Sequence, residues 1–217
     1  MKSVPVLIPV NALGRAKGRL SALLAPEERE TLAVITFETV LRAVGPAAIV
    51  LTPDKLIAGL AEGRARVLAE DPNRKGLNEQ LEHAVGVLLA ETPECPALLI
   101  LHADLPLATE GAIETILSLE EPETATLVSS RDGGTNAMLL CPPARFELAY
   151  GPDSFAKHVA AANAAGIEVR TNENRELRLD LDTPDDIREL LRAPRGRQGA
   201  AGRYLLSIGI EERLAAS

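Results

Sequence analysis

Short apolar runs alternate with segments of helical period along most of the chain. The runs Val4–Val10, Ala48–Thr52, Ala65–Ala69, Leu98–His102, Thr126–Ser129, Ala137–Cys141, Ile167–Thr171 and Arg178–Leu181 read as strands. Pro26–Ala43, Asp54–Ala61, Leu77–Ala90, Glu110–Leu119, Pro152–Ala165 and Pro184–Leu191 read as helices. Strands alternating with helices predict a three-layer α/β/α sandwich, Rossmann-like, around a mostly parallel sheet. Several late strands follow one another without a helix between them, so the sheet is expected to be mixed. The pattern changes after Arg192. Residues 193–202 carry glycines, arginines and one proline and read as a flexible basic linker, with Arg203–Ile210 as a short strand beyond it. The expected organisation is one domain over residues 1–192, then a linker and tail over 193–217 that docks back or lies in an oligomer interface.

Composition narrows the function. The formal net charge is −8 and aromatic residues make up 2% of the 217-residue chain, with no Trp. That field repels nucleic acid and anionic membranes, and base stacking on aromatic platforms is excluded as a main binding mode. An anionic substrate therefore needs local cations. Cys95 and Cys141 form no metal or redox motif and fit a reducing compartment. The first apolar run is short and holds two prolines, so it is neither a signal peptide nor a membrane span, and a cytoplasmic location is expected.

Five places carry candidate chemistry. The run 98–101 ends in His102-Ala103-Asp104-Leu105-Pro106, and ligands gather outside the carboxyl ends of strands in open α/β sheets. Asp104 reads either as a turn residue or as a metal ligand, since a carboxylate at a buried strand end needs a partner. Downstream, Asp180 and Asp182 read either as solvated acids or as two further metal ligands on one face of an extended segment. Thr183, Pro184 and Asp186 form a helix start with a capping box, so Asp185 and Asp186 read as structural. The loop Asn11-Ala12-Leu13-Gly14-Arg15-Ala16-Lys17-Gly18-Arg19 after the first strand offers glycines and cations to phosphates, or is a solvated basic turn; it lacks Walker A spacing. Lys75-Gly76-Leu77-Asn78 opens the third helix with free amides, and Asn78 is either a base- or ribose-reading side chain or part of an ordinary helix start. Gly133-Gly134-Thr135-Asn136 and Gly151-Pro152-Asp153-Ser154 form the fifth. With Gly151 as cap and Pro152 as first helical residue, the amides of Asp153 and Ser154 would offer an anion site; the alternative is a plain Gly-Pro helix start.

Taken in order, the Gly-Arg-Ala-Lys loop, Gly76-Leu77-Asn78, Ala103-Asp104-Leu105-Pro106-Leu107, Gly134-Thr135-Asn136-Ala137, Gly151–His158 and Leu179–Ile187 resemble the 2-phospho-L-lactate or phosphoenolpyruvate guanylyltransferases of coenzyme F-420 biosynthesis. The resemblance implies a nucleotide-diphosphosugar-transferase-like fold, transfer of GMP from GTP to the phosphate of a small phosphorylated carboxylic acid, and magnesium as metal. It implies that Gly14, Arg15, Lys17, Gly76 and Asn78 hold the nucleotide and that Thr135, Gly151 and Ser154 hold the acid. Asp104, Asp180 and Asp182 would hold Mg2+, with Lys17 and Asp104 the catalytic pair; a homodimer is the implied assembly. Three positions depart from the expected pattern: Asn11 stands for a common lysine, Asp153 for a common glycine, and Tyr150 for a more usual phenylalanine. The alternatives are a molybdenum-cofactor guanylyltransferase-like enzyme, a nucleotide-sugar glycosyltransferase, or a non-catalytic nucleotide-binding protein.

Overall fold

A computed structural model of the chain describes residues 4–143 and 147–216. Seven strands form one sheet: β1 Val6–Pro9, β2 Ala48–Leu51, β3 Arg66–Leu68, β4 Leu98–Leu101, β5 Thr124–Ser129, β6 Thr135–Cys141 and β7 Glu168–Thr171. Their spatial order is β3-β2-β1-β4-β6-β5-β7, and only β6 runs against the others. The expected mixed sheet arises from the hairpin that joins β5 to β6. Its turn closes through the Ser130 N–H, which donates to the Gly134 carbonyl at 3.0 Å.

Uninterrupted apolar runs reflect burial on both faces. On one face Val6, Ile8, Leu99 and Leu101 pack with Phe37 and Val40 of α1 (Pro26–Val44), Ile57 of α2 (Lys55–Ala61) and Ile113 of α4 (Glu110–Leu117). On the other, Leu7, Leu98 and Ile100 pack with Leu81 and Val85 of α3 (Gly76–Glu91) and Ala162 of α5 (Ser154–Ala164). The chain is thus a three-layer α/β/α sandwich.

Two expectations fail past residue 174. The predicted strand Arg178–Leu181 is absent. Asn174 instead caps a single turn, α6 (Arg175–Arg178), by accepting from the Glu176 N–H at 2.9 Å. Residues beyond α6 remain extended but pair with no strand, so burial alternates (Leu179 and Leu181 in, Asp180 and Asp182 half-buried) without a ladder. After α7 (Pro184–Arg192) the expected linker and short strand are three helices, α8 (Pro194–Gln198), α9 (Ala200–Ser207) and α10 (Ile210–Ala216). Leu190, Leu191, Ala201, Leu205 and Ile210 form a third apolar cluster with Leu20, Leu23 and Leu24. The glycines taken for flexibility instead permit close approach. A Cβ on Gly196 would lie 1.9 Å from the Leu190 carbonyl oxygen, and one on Gly202 would lie 2.0 Å from that of Gly196.

Candidate active site

The site lies at the carboxyl ends of β1 and β4, where the parallel strands leave a crevice. Beyond β1 the chain makes two 3-10 turns, Leu13–Arg15 and Gly18–Leu20. Between them Lys17 adopts a left-handed backbone (φ 54°), a conformation that is costly for a side chain of its size. The loop is held from two sides. Asp54, the N-cap of α2, accepts the Leu13 N–H at 3.0 Å as well as the amides of Leu56 and Ile57. Arg29 of α1 donates to the Ala16 carbonyl at 3.2 Å. Burial pushes the Asp54 carboxyl up, but those three amides outweigh it and hold the group below the usual carboxylate range.

This turn drives the Lys17 side chain inward, where it is 4% exposed. Its Nζ lies 2.9 Å from Asp104 Oδ2 and 3.1 Å from Asp182 Oδ1. Burial pulls the ammonium down, yet the two carboxylates outweigh it by charge and hydrogen bonding and hold Lys17 above its ordinary value. Burial pushes the Asp104 carboxyl up, but the charges of Lys17 and His102 together with the Lys17 hydrogen bond outweigh it and hold the group below the usual carboxylate range. Asp180 completes the cluster: one oxygen from each of Asp104, Asp180 and Asp182 lies within 4.8 Å of the others. With no ion pair among the described residues, Asp180 is raised to about 7, by burial first and then by the charges of Asp104 and Asp182. At this spacing each carboxylate pair repels by about 3–4 kcal/mol for an effective dielectric of ~20.

Residues 179–182 are brought here by two backbone clamps. The Leu181 N–H donates to the Asp104 carbonyl at 3.2 Å. Asn136 Nδ2 donates to the carbonyls of Leu177 and Arg178, both at 3.0 Å. Thr183 then opens α7 with the expected capping box, and Asp186 Oδ2 accepts the amides of Asp182 and Thr183 at 3.1 and 2.7 Å. Asp186 is therefore structural. The fit of a divalent ion rests on the donors: three convergent carboxylates, hard oxygen ligands suited to Mg2+, with Asp104 Oδ1 buried and unpartnered. A cavity of about 540 Å³ opens over them, lined by Asn11, Leu13, Gly18, Leu77 and His102 with Lys17, Asp104 and Asp182. That volume suits a nucleotide-sized ligand.

The remaining predicted residues are placed differently. Gly14 lies in the first 3-10 turn. The Arg15 backbone ends that turn, and its side chain lies outside the described ones. Gly76 starts α3, where its neighbour Leu77 reaches the cavity. Asn78 is engaged within the protein: its Nδ2 donates to the Tyr150 carbonyl at 3.0 Å and its Oδ1 accepts the Tyr150 N–H at 2.7 Å. Thr135 and Ser154 are each 2% exposed and lie outside the lining of the acidic cavity. They meet His158, fully buried, in one chain. The Ala149 N–H donates to His158 Nε2 at 2.9 Å, which leaves the proton on Nδ1 to donate to Thr135 Oγ1 at 3.0 Å; the Ser154 hydroxyl donates to Thr135 at 3.3 Å. Burial, then the His102 charge, holds His158 down to about 4.

The fifth region departs from expectation at its helix start. α5 begins at Ser154, not Pro152, and its N-cap is Asp153, not Gly151. The Ser154 amide donates to the Gly151 carbonyl and the Phe155 amide to that of Gly133, both at 3.1 Å. The Ser154 donor expected to be open is therefore taken. Asp153 stands at φ 56°, in the left-handed region that favours glycine.

The sequence pattern did not single out His102, Tyr150, His158 or Asn136 as site residues. Tyr150 lies between the two histidines, tilted against His102 at a centroid distance of 5.2 Å and edge-on to His158 at 4.7 Å, and thereby links the Asp104 strand end to the Thr135 chain. A histidine directly after a buried run was the available signal.

Comparison with known proteins decides the family. A family profile described as "Guanylyl transferase CofC like" matches residues 4–217. The chain belongs to the CofC-like guanylyl transferase family. Its membership rests also on close relatives. A phosphoenolpyruvate guanylyltransferase of Sphaerobacter thermophilus is 37% identical over 190 residues, 85% of this chain and 90% of that protein. A 2-phospho-L-lactate guanylyltransferase of Methanoregula boonei is 35% identical over 205 residues, 94% of this chain and 87% of that protein. In fold, this family member matches a solved protein of Desulfovibrio desulfuricans described as a nucleotide-diphospho-sugar transferase. The TM-score is 0.77 over 100% of this chain and 98% of the other, at 16% identity. The chain is a nucleotidyltransferase of the guanylyltransferase type.

Proposed function

We propose that this guanylyltransferase transfers GMP from GTP to the phosphate of phosphoenolpyruvate or 2-phospho-L-lactate, releasing pyrophosphate, in coenzyme F-420 biosynthesis. The observation that carries the reading is the acidic centre: Lys17 wedged between Asp104 and Asp182, with Asp180 within 4.8 Å. Bringing two polyanions together is the physical obstacle, and at about 4 Å each like pair costs roughly 4 kcal/mol at an effective dielectric near 20. Lys17 supplies one buried positive charge against that repulsion. Asp104, Asp180 and Asp182 would hold Mg2+, which when bound neutralises phosphate charge and orients the triphosphate.

An acceptor phosphate oxygen attacks the α-phosphorus in line, a new P–O bond forms, the α–β bridging bond breaks, and pyrophosphate leaves with the electron pair. The attacking oxygen is already ionised, so no side chain has to remove a proton. Gly14, Arg15, Gly76 and Asn78 are assigned to the nucleotide, and Thr135, Gly151 and Ser154 to the acid. The Asn78 amide and the Thr135 and Ser154 hydroxyls already have protein partners behind the cavity lining, so their part in this reading is to hold the segments that surround the ligand. We place the enzyme in the cytoplasm, on two free cysteines and on the finding that no described helix is long and apolar enough to cross a membrane.

The test is a panel of GTP, ATP and CTP against both acids with Mg2+, scored by pyrophosphate release and product mass. GTP with one of the two acids is expected to give the guanylylated product. Turnover with another nucleotide alone, or with neither acid, overturns the assignment.

A further inference from the structure

Behind the acidic centre the surface reverses sign. Two adjoining cavities, of about 380 and 620 Å³, share Leu107, Arg175 and Ala193. Together they are lined by Arg42, Arg131, Arg175, Arg178, Arg195 and Arg203. The acids in the lining are Glu176 and Glu189 alone. A groove with six arginines and two glutamates stands out on a chain of net charge −8, where like charges gathered without counterions repel.

Part of this charge is neutralised internally. Arg131 pairs with Glu189 at 2.7 Å and Asp186 at 3.4 Å, and Arg195 pairs with Glu176 at 2.6 Å. Arg203 donates to the Gln198 carbonyl. Arg42, Arg175 and Arg178 make no ion pair or side-chain hydrogen bond among the described residues, and Arg178 Nε is buried without a partner. Guanidinium forks match carboxylate and phosphate oxygens two at a time. Leu107, Leu179 and Ala193 supply an apolar floor.

We propose that this groove is a second binding site, separate from the acidic centre, for a small molecule carrying two or more phosphate or carboxylate anions. Arg175 lies in both cavities and joins them, so it and Arg178 are the anchoring pair. The walls hold Leu107, three residues after Asp104, and Arg178, two before Asp180. An occupant therefore sits against both segments that form the acidic centre, without touching its carboxylates.

Isothermal titration of the full chain in excess chelator tests this, with inorganic pyrophosphate as the phosphate probe and citrate as the carboxylate probe. Wild type and Lys17→Met are expected to bind at least one probe with the same affinity. Arg175→Ser/Arg178→Ser is expected to weaken that binding at least tenfold. Binding of both probes identifies a charge-reading groove, and binding of pyrophosphate alone a phosphate-reading one. If circular dichroism shows that the double variant fails to fold, Arg42→Ser/Arg203→Ser is used and a weakening of threefold or more is expected. The proposal is overturned if neither probe binds, or if binding vanishes with Lys17→Met and survives the arginine changes. It is also overturned if sedimentation shows the groove closed in a dimer that the arginine changes dissociate.

Discussion

The acidic centre and the His158 chain are both polar and built across distant segments, the first half-buried and the second buried, yet they are opposite in electrostatic state. Around His158 neutral groups pair with one another: the Ala149 amide donates to His158, and His158 and the Ser154 hydroxyl donate to Thr135. At the acidic centre three carboxylates face one ammonium, Asp180 is raised to about 7, and Asp104 Oδ1 is unpartnered. Satisfied polar groups stabilise a fold, whereas uncompensated charge is retained where a ligand completes it. The contrast separates machinery from scaffold more sharply than residue type does, since both places contain residues that chemistry uses.

Four substitutions or conditions would break or sharpen that contrast. The largest effect is expected at the centre. Asp104→Asn should lower pyrophosphate release about 10³-fold or more, equivalent to roughly 4 kcal/mol, while the melting temperature moves by less than about 4 °C. Loss of the fold instead would make Asp104 scaffold. His158→Gln should do the reverse, removing about 1–3 kcal/mol of stability in urea titration because Thr135 and the Ala149 amide lose their partner.

The pH dependence of that second effect has a definite sign. His158 is neutral in the folded chain down to about 4, whereas an unfolded histidine takes up a proton below ~6.5. Stability is therefore full above pH ~6.5 and falls as pH drops toward 4, by at most about 1.4 kcal/mol per pH unit from this group. Urea midpoints of wild type and His158→Gln should converge across that window; parallel curves would mean that another group carries the acid sensitivity. The smallest effect is expected at Thr183→Ala. Loss of the cap should cost about 1 kcal/mol and shift Asp182 slightly, read as a modest rise in the Mg2+ needed for half-maximal rate with little change in the saturated rate.

The sequence made the centre legible because its parts sit where local rules are strong. A four-residue run of leucine and isoleucine shortly before Asp104 is a buried strand end in any open α/β sheet, and Thr183-Pro184-Asp185-Asp186 is a helix start that fixes the course of the chain after Asp182. The expectation that Asp180 and Asp182 share one face rests on a strand, Arg178–Leu181, that is absent. The extended backbone gave the same facing through the Leu181–Asp104 hydrogen bond, a long-range contact with no local signal. Asn78 and Asn136 illustrate the opposite difficulty. Their side chains serve backbone 72 and 41 residues away, so a residue type suited to ligands was used to tie loops. The tail was misread because glycine has two meanings, freedom and closeness, and composition reports only the first. Gly196 and Gly202 belong to the second.

The helix Ile210–Ala216 reaches back to the turn that follows the Lys17 loop and to the first turn of α1. Arg213 donates to the Leu23 carbonyl, 190 positions earlier, at 3.0 Å, and grips Glu28 at 2.6 Å. A support for the turn beyond Lys17 is thus borrowed from a segment 190 positions downstream, so the fates of Arg213 and Glu28 are joined although no local rule connects them.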